Sequence, residues 1–218
     1  MALNTSLSAV DVRRAFTEAA FLYANDASVG QRVKEFQQRG FPIESADGLD
    51  FCKQNVFEDQ RVRLVLEALF PWCAVGIYEV YRSSPECIYG YMTGLNSELK
   101  AAVVRLQSPG SSVVVLDGSH RLPIRGFVAS NGLLEIPYAP LRNCKEIEID
   151  MAEGGLIIHD ARLQIRSMKG YSVQLCFATE DEIQGWPRKK FPDSQALKQQ
   201  AIAMETPTMG VNFVFGDQ

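Results

Sequence analysis

Apolar residues return at helical spacing three times in the first third of the chain. Val12, Ala15, Phe16, Ala19, Ala20 and Tyr23 follow Ser8-Ala-Val-Asp11, which reads as a capping box with a short acid. This predicts a first helix that ends at Asn25-Asp26. Ser28 is placed to cap a second helix carrying Val29, Val33 and Phe36, with Gly40 closing it, and Phe41 to Leu49 reads as a loop. Residues 57–70 put Val62, Val65, Leu66 and Leu69 on one face of a third helix, stopped by Pro71. The β-branched and aromatic run 73–92 predicts a hairpin turning at Ser83-Ser84-Pro85, and Asn96 or Ser97 a cap for a short helix through Leu106.

The pattern changes after Ser108-Pro-Gly-Ser-Ser112, a turn-rich break that serves as a candidate domain boundary. Beyond it short strands dominate: 113–116, 126–129, 133–137, 146–150, 156–159, 162–166, 172–178 and 210–215, with one helix over 194–204. The expected fold class is α+β, a helix-rich N-terminal domain (1–108) followed by a small antiparallel β-barrel (113–218).

Composition narrows the function. The 218 residues are 46% hydrophobic and 22% charged, ordinary values for a packed chain. The longest near-apolar run, Leu64 to Val80, is broken by Glu67, Pro71, Gly76 and Glu79, which argues against a spanning helix. The N-terminal segment does not read as a secretory signal. Residues 1–110 and 111–218 each hold eleven basic and thirteen acidic side chains, so neither half offers a basic surface to nucleic acid. Five cysteines, an odd number without CxxC spacing, read as reduced thiols in a cytoplasm rather than a disulfide framework or metal site.

The catalytic inventory is thin. The two histidines are His120 and His159. His120 lies too close along the chain to Asp117 and Ser119 to form a triad with them. His159-Asp160 reads as a surface pair, and Cys176 as a core thiol. The segments that stand out are Asp117-Gly-Ser-His-Arg121-Leu-Pro-Ile-Arg125 and Asp150-Met-Ala152-Glu-Gly-Gly155. Arginine suits phosphates and guanine edges because its planar fork donates in pairs.

Together these segments resemble the PilZ domain, a bacterial receptor module for cyclic di-GMP, whose pattern is RxxxR followed by (D/N)xSxxG. Arg121 and Arg125 match the first motif, Asp150 and Gly155 the second, and Gly210-Val-Asn-Phe213 the closing strand. The family's serine is Ala152 here. The resemblance implies a non-enzymatic effector without a cofactor, in which Arg121, Arg125, Asp150, Ala152 and Gly155 bind cyclic di-GMP. Ligand binding would alter contact with a protein partner in motility, biofilm or virulence control, with self-association left open. Two alternatives stand beside it: a degenerate barrel that binds only protein, and a ParB-like nucleotide-binding domain, which the strand-then-DGSHR box of residues 113–122 resembles.

Overall fold

The computed structural model describes residue 3 and residues 7–93 and 98–216. Its strands are β1 (Phe21–Asn25), β2 (Cys73–Arg82), β3 (Tyr89–Gly90), β4 (Ala101–Gln107), β5 (Ser111–Asp117), β6 (Phe127–Val128), β7 (Leu134–Glu135), β8 (Lys145–Met151), β9 (Gly155–Asp160), β10 (Ile165–Lys169), β11 (Tyr171–Ala178), β12 (Lys189–Phe191), β13 (Met209–Val211) and β14 (Phe213–Phe215). The helices are α1 (Ala9–Glu18), α2 (Ala27–Gln38), α3 (Ala46–Cys52), α4 (Gln60–Leu69), α5 (Glu180–Ile183) and α6 (Gln195–Met204).

Two six-stranded sheets carry the architecture, in the orders β1-β9-β4-β11-β2-β13 and β6-β7-β3-β10-β5-β8. The central strands β2-β11-β4-β9 and β3-β10-β5-β8 are antiparallel throughout, and the chain passes repeatedly between the sheets, from β2 to β3, β4 to β5, β8 to β9, β9 to β10 and β10 to β11. This is the double-sheet jelly roll. Both sheets take strands from before and after residues 108–112, which form the turn between β4 and β5. The α+β class holds in this coarse form. The helical domain followed by a separate PilZ-like barrel is replaced by a jelly roll with helices on one outer face.

Alternation along the strands fills three layers. On the first sheet, Val104, Leu106, Leu156, Ile158, Leu175 and Phe177 face the helices and pack with Val33, Phe36, Leu49, Val62 and Leu66. Between the sheets lie Phe21, Val113, Val115, Ile149, Ile157 and Ile165. Val114 and Leu116 turn outward from β5 onto Ile88, Ile124, Ile136 and Leu141.

Several local expectations hold. Ser8 and Asp11 form the reciprocal capping box, and Ser194 caps α6. Asp26 rather than Ser28 caps α2, its carboxylate accepting from the Ser28 and Val29 N–H groups. Others are corrected. The first helix stops at Glu18; Ala20 takes φ 64° and Phe21–Asn25 pairs with β9. The 41–49 loop gives way to α3, capped by Ser45. β2 and β3 sit in different sheets and form no hairpin. Residues 101–106 are strand, not helix, and the expected caps Asn96 and Ser97 lie outside the described residues.

Candidate functional site

Polar side chains are concentrated on one face of the first sheet, where a jelly roll ordinarily buries apolar ones. On β4 the inward positions are Val103, Arg105 and Gln107; on β11 they are Ser172, Gln174 and Cys176. Gln174 stands opposite Arg105, and Ser172 opposite Gln107. His159, on β9, stands opposite Val103. Arg105, Gln107, Ser172, Gln174 and His159 are all buried, with relative exposures of 5% or less. Burying such groups is costly unless each is satisfied.

Some are satisfied and some are not. Arg105 Nη2 donates to Ser167 Oγ at 2.7 Å. The Tyr91 hydroxyl donates to Gln174 Oε1, and Gln174 Nε2 to Ser172 Oγ, each at 2.7 Å. Arg105 Nε, Gln107 Nε2 and His159 Nε2 are buried with no partner among the described residues. No described carboxylate pairs with Arg105. Burial brings its pKa down to about 10, offset only in part by the Tyr91 and Tyr81 hydroxyls, so it remains a cation at neutral pH. Burial also pushes the Tyr81 hydroxyl up to about 12.

Arg105 lines a cavity of about 300 Å³. Of the residues that line it, Arg105, Gln174, Leu133 and Ile165 are buried, and Arg82 and Asn131 are exposed. Tyr81, Tyr89, Ser84, Ser167 and the chain at Val80 complete the lining, and among the described residues no acidic side chain belongs to it.

His159 is buried rather than on the surface, and so is Asp160, which forms a 2.6 Å ion pair with Arg162. The His159 Nδ1 lies 2.8 Å from the Asp160 carbonyl and donates to it, so Nε2 is left as a lone-pair acceptor. Burial, then the neighbouring Arg105, hold the His159 pKa down to about 3. The folded protein therefore binds fewer protons than the unfolded chain between pH 6.5 and about 3. Stability contributed by neutral His159 is lost as pH falls through that window, on the order of a few kcal/mol in all. Urea midpoints from pH 7 to pH 4 are expected to fall less steeply in His159→Asn, which keeps an N–H donor and does not titrate. Equal slopes would show that His159 is not the titrating group.

The sequence-predicted site residues do not converge. Arg121 lies in a single 3-10 turn, and its Nη2 donates to the Thr17 and Glu18 carbonyls at the end of α1 while Nε donates to His120 Nε2. Arg125 is exposed in the following coil. Asp150 pairs with Ser112 at the start of β5, and the arginines follow Asp117 at its other end. Five strand residues separate the two places by roughly 17 Å. Ala152 is exposed in the β8–β9 turn, and Gly155 is buried between Asn25 and Gln107. Arg121→Ala is expected to cost roughly 1–3 kcal/mol of folding stability by freeing the end of α1, since hydrogen bonds from a charged donor are of that size. An unchanged thermal midpoint would refute this.

The Cys176 thiol is buried and free, as expected. Among the described residues no group of three His, Cys, Asp or Glu side chains is arranged to hold a metal ion, and no helix is long and apolar enough to cross a membrane.

No family model matches the chain, and no curated protein matches it in sequence. Solved structures share its fold. The epimerase SnoN, in complex with Fe3+, alpha ketoglutarate and nogalamycin RO, aligns over 78% of this chain and 83% of its own, at 9% identity and a TM-score of 0.56. EctD from S. alaskensis, with 2-oxoglutarate and 5-hydroxyectoine, aligns over 81% and 78% at 11% identity and a TM-score of 0.55. AviO1 from Streptomyces viridochromogenes Tue57 aligns over 84% and 99% at 12% identity and a TM-score of 0.52.

These likenesses overturn the PilZ resemblance and what it implied. The fold is a jelly roll, and its neighbours include an epimerase in complex with Fe3+ and alpha ketoglutarate and EctD with 2-oxoglutarate, not cyclic di-GMP effectors. The non-enzymatic, cofactor-free effector is withdrawn with it, as are the degenerate PilZ adaptor and the signalling partners. The ParB-like alternative also falls, because β5 runs into one 3-10 turn and coil instead of a helix.

Proposed function

We infer that this chain acts on a small organic acid, which it takes into the space between its two sheets with the carboxylate on Arg105. One observation carries this reading: a buried guanidinium with an unfilled Nε–H and no carboxylate among the described residues to neutralise it. A buried cation without a partner is expensive, and a bound anion would supply both the charge and the acceptor. The Tyr91–Gln174–Ser172 chain fixes the floor beside it, and Leu133 and Ile165 offer apolar surface to the rest of the ligand. Organic acids also appear with neighbours of this fold, alpha ketoglutarate with SnoN and 2-oxoglutarate with EctD.

The iron bound to SnoN is a different matter. A facial iron site draws on two histidines and a carboxylate. This chain has two histidines in all, and His159 spends one nitrogen on the Asp160 carbonyl and is subject to the charge of the neighbouring Arg105. His120 Nε2 accepts from Arg121. These donors do not fit such an ion.

Five free cysteines, three of them buried, are compatible with the reducing cytoplasm we propose as its compartment. Calorimetric titration of the full chain with 2-oxoglutarate, glutarate and butyrate tests the reading. At least one acid is expected to bind saturably, with or without EDTA. Absence of heat and of any thermal shift with all three would overturn it.

A further inference from the structure

Beyond Arg105, the side chains that face into the cavity are mostly polar and uncharged. Tyr81 stands opposite Ser172, on the inward face that also carries Gln174 and Arg105. From the second sheet, Tyr89 stands opposite Ile165, which packs between the sheets, and Ser167 follows Ile165 on the same face of β10. Tyr81, Tyr89 and Ser167 all line the cavity. Arg82 and Val80 stand opposite Tyr171 and Val173 on the other face of β2, so Arg105 is the one cation among the inward-facing lining residues. Glu79, opposite Gln174, is held by Lys189 at 2.8 Å and lies outside the lining. The part of a ligand beyond its acid group therefore meets no second charge in this lining.

It does meet hydrogen-bonding groups. Ser167 Oγ accepts from Arg105, and its own O–H has no acceptor among the described residues. The Tyr81 hydroxyl, its pKa pushed up to about 12 by burial, stays a donor at neutral pH. A hydrocarbon acid would lay its chain against these hydroxyls and leave them unpaired, which is costly away from water. An acid that carries hydroxyls of its own pairs with them, and its C–H faces lie against the Tyr81 and Tyr89 rings, Leu133 and Ile165. At about 300 Å³ the cavity is at the small end for organic ligands, which suits one sugar unit rather than a polymer.

Resting on the Arg105 reading, we propose that the acid this site takes is a sugar acid, an aldonate or uronate of one sugar unit, with its carboxylate on Arg105 and its hydroxyls on Tyr81, Tyr89 and Ser167. Calorimetry on the full chain tests this with matched probes of equal carbon number. Gluconate and glucuronate carry the acid and the hydroxyls, hexanoate the acid alone, and glucose the hydroxyls alone. The better sugar acid is expected to bind about tenfold or more tightly than hexanoate, because at least two ordinary hydrogen bonds are gained. Glucose is expected to bind at least about tenfold more weakly than that sugar acid, because it brings no charge to the guanidinium. Tyr81→Phe and Tyr89→Phe keep the rings and remove one hydroxyl each. Each is expected to cut the ratio of sugar-acid to hexanoate affinity by about threefold to tenfold.

Hexanoate binding as tightly as both sugar acids, or more tightly, would overturn the proposal and leave the Arg105 reading in place. So would a ratio that survives both tyrosine changes. Glucose binding as tightly as the sugar acids would overturn the Arg105 reading as well. Failure of every acid to bind, 2-oxoglutarate, glutarate and butyrate included, would overturn both at once.

Discussion

Arg105→Met is expected to make the protein more stable and to abolish its binding of organic acids. The two effects share one cause. Arg105 is buried on the inner face of β4, and its pKa is brought down from 12.5 to about 10 by that burial. The shift measures how much less favourable the charged form is inside the protein than in water, on the order of 3 kcal/mol. Methionine has a similar length and no charge to desolvate. Removing the cation forfeits one hydrogen bond to Ser167 but also the desolvation cost, so a net gain of about 1–3 kcal/mol is expected at neutral pH. Binding should fall by about a hundredfold or more, because a paired, charge-assisted contact is lost. Arg105→Lys separates charge from shape: it keeps the cation and loses the planar fork, and should bind more weakly than the unmodified protein without gaining stability. Chemical denaturation and calorimetry on the same preparations read both quantities. A destabilised Arg105→Met protein would identify Arg105 as a structural residue. Unchanged affinity would place the ligand elsewhere.

The buried position of Arg105 also explains why the sequence pointed away from it. Arg105 sits in Ala101-Ala-Val-Val-Arg-Leu-Gln107, and that run fits a helix face as readily as a buried strand. Its strand nature comes from pairing with β9 and β11, both more than fifty residues later, which no local pattern records. Read as a strand, the same run puts Val103, Arg105 and Gln107 on one face, and a cation within a β-branched stretch becomes the signal that something must neutralise it. Ser172 and Gln174 in β11 repeat the signal. The capping box at Ser8 and the helices α2, α4 and α6 were legible because capping and helical spacing are local. β1 was not: Ala20 and Tyr23 continue the periodicity of α1, and only the reversal at Ala20 separates the strand from the helix. The motif pair around Arg121 and Asp150 misled for the opposite reason. Its order and spacing match a ligand-binding pattern in one dimension, but the two halves lie at opposite ends of β5.

The glycines of that second motif have a structural task, and Gly155→Ala is expected to cost more stability than any surface change in the chain. Gly155 opens β9 with φ 153°, and a Cβ there would come within 2.2 Å of the Ala24 carbonyl oxygen on β1. The neighbouring Gly154 takes φ 86°, and its Cβ would meet Gly30 Cα of α2 at 2.4 Å. Gly30 in turn would place a Cβ 1.9 Å from the Glu153 carbonyl oxygen. Backbone meets backbone at all three positions, so no side chain can rotate away to make room. The β8–β9 turn is thereby held against α2, and Asp26, the cap of that helix, donates its own N–H to the Gly154 carbonyl at 3.0 Å. Alanine at position 155 would force β1 away from β9 or shift the turn, at an expected cost of about 3 kcal/mol or more, the size reserved for buried clashes and strained backbone. Gly30→Ala should cost a similar amount through its own contact, the approach of α2 to the Glu153 carbonyl. The two losses should be less than additive, because both displace the same β8–β9 turn. Ala152→Ser is the contrast, an exposed change two residues before Gly154 that should leave stability within about 0.5 kcal/mol. Urea unfolding of the four proteins would settle the point: a Gly155→Ala variant as stable as Ala152→Ser would mean the turn is not packed as described.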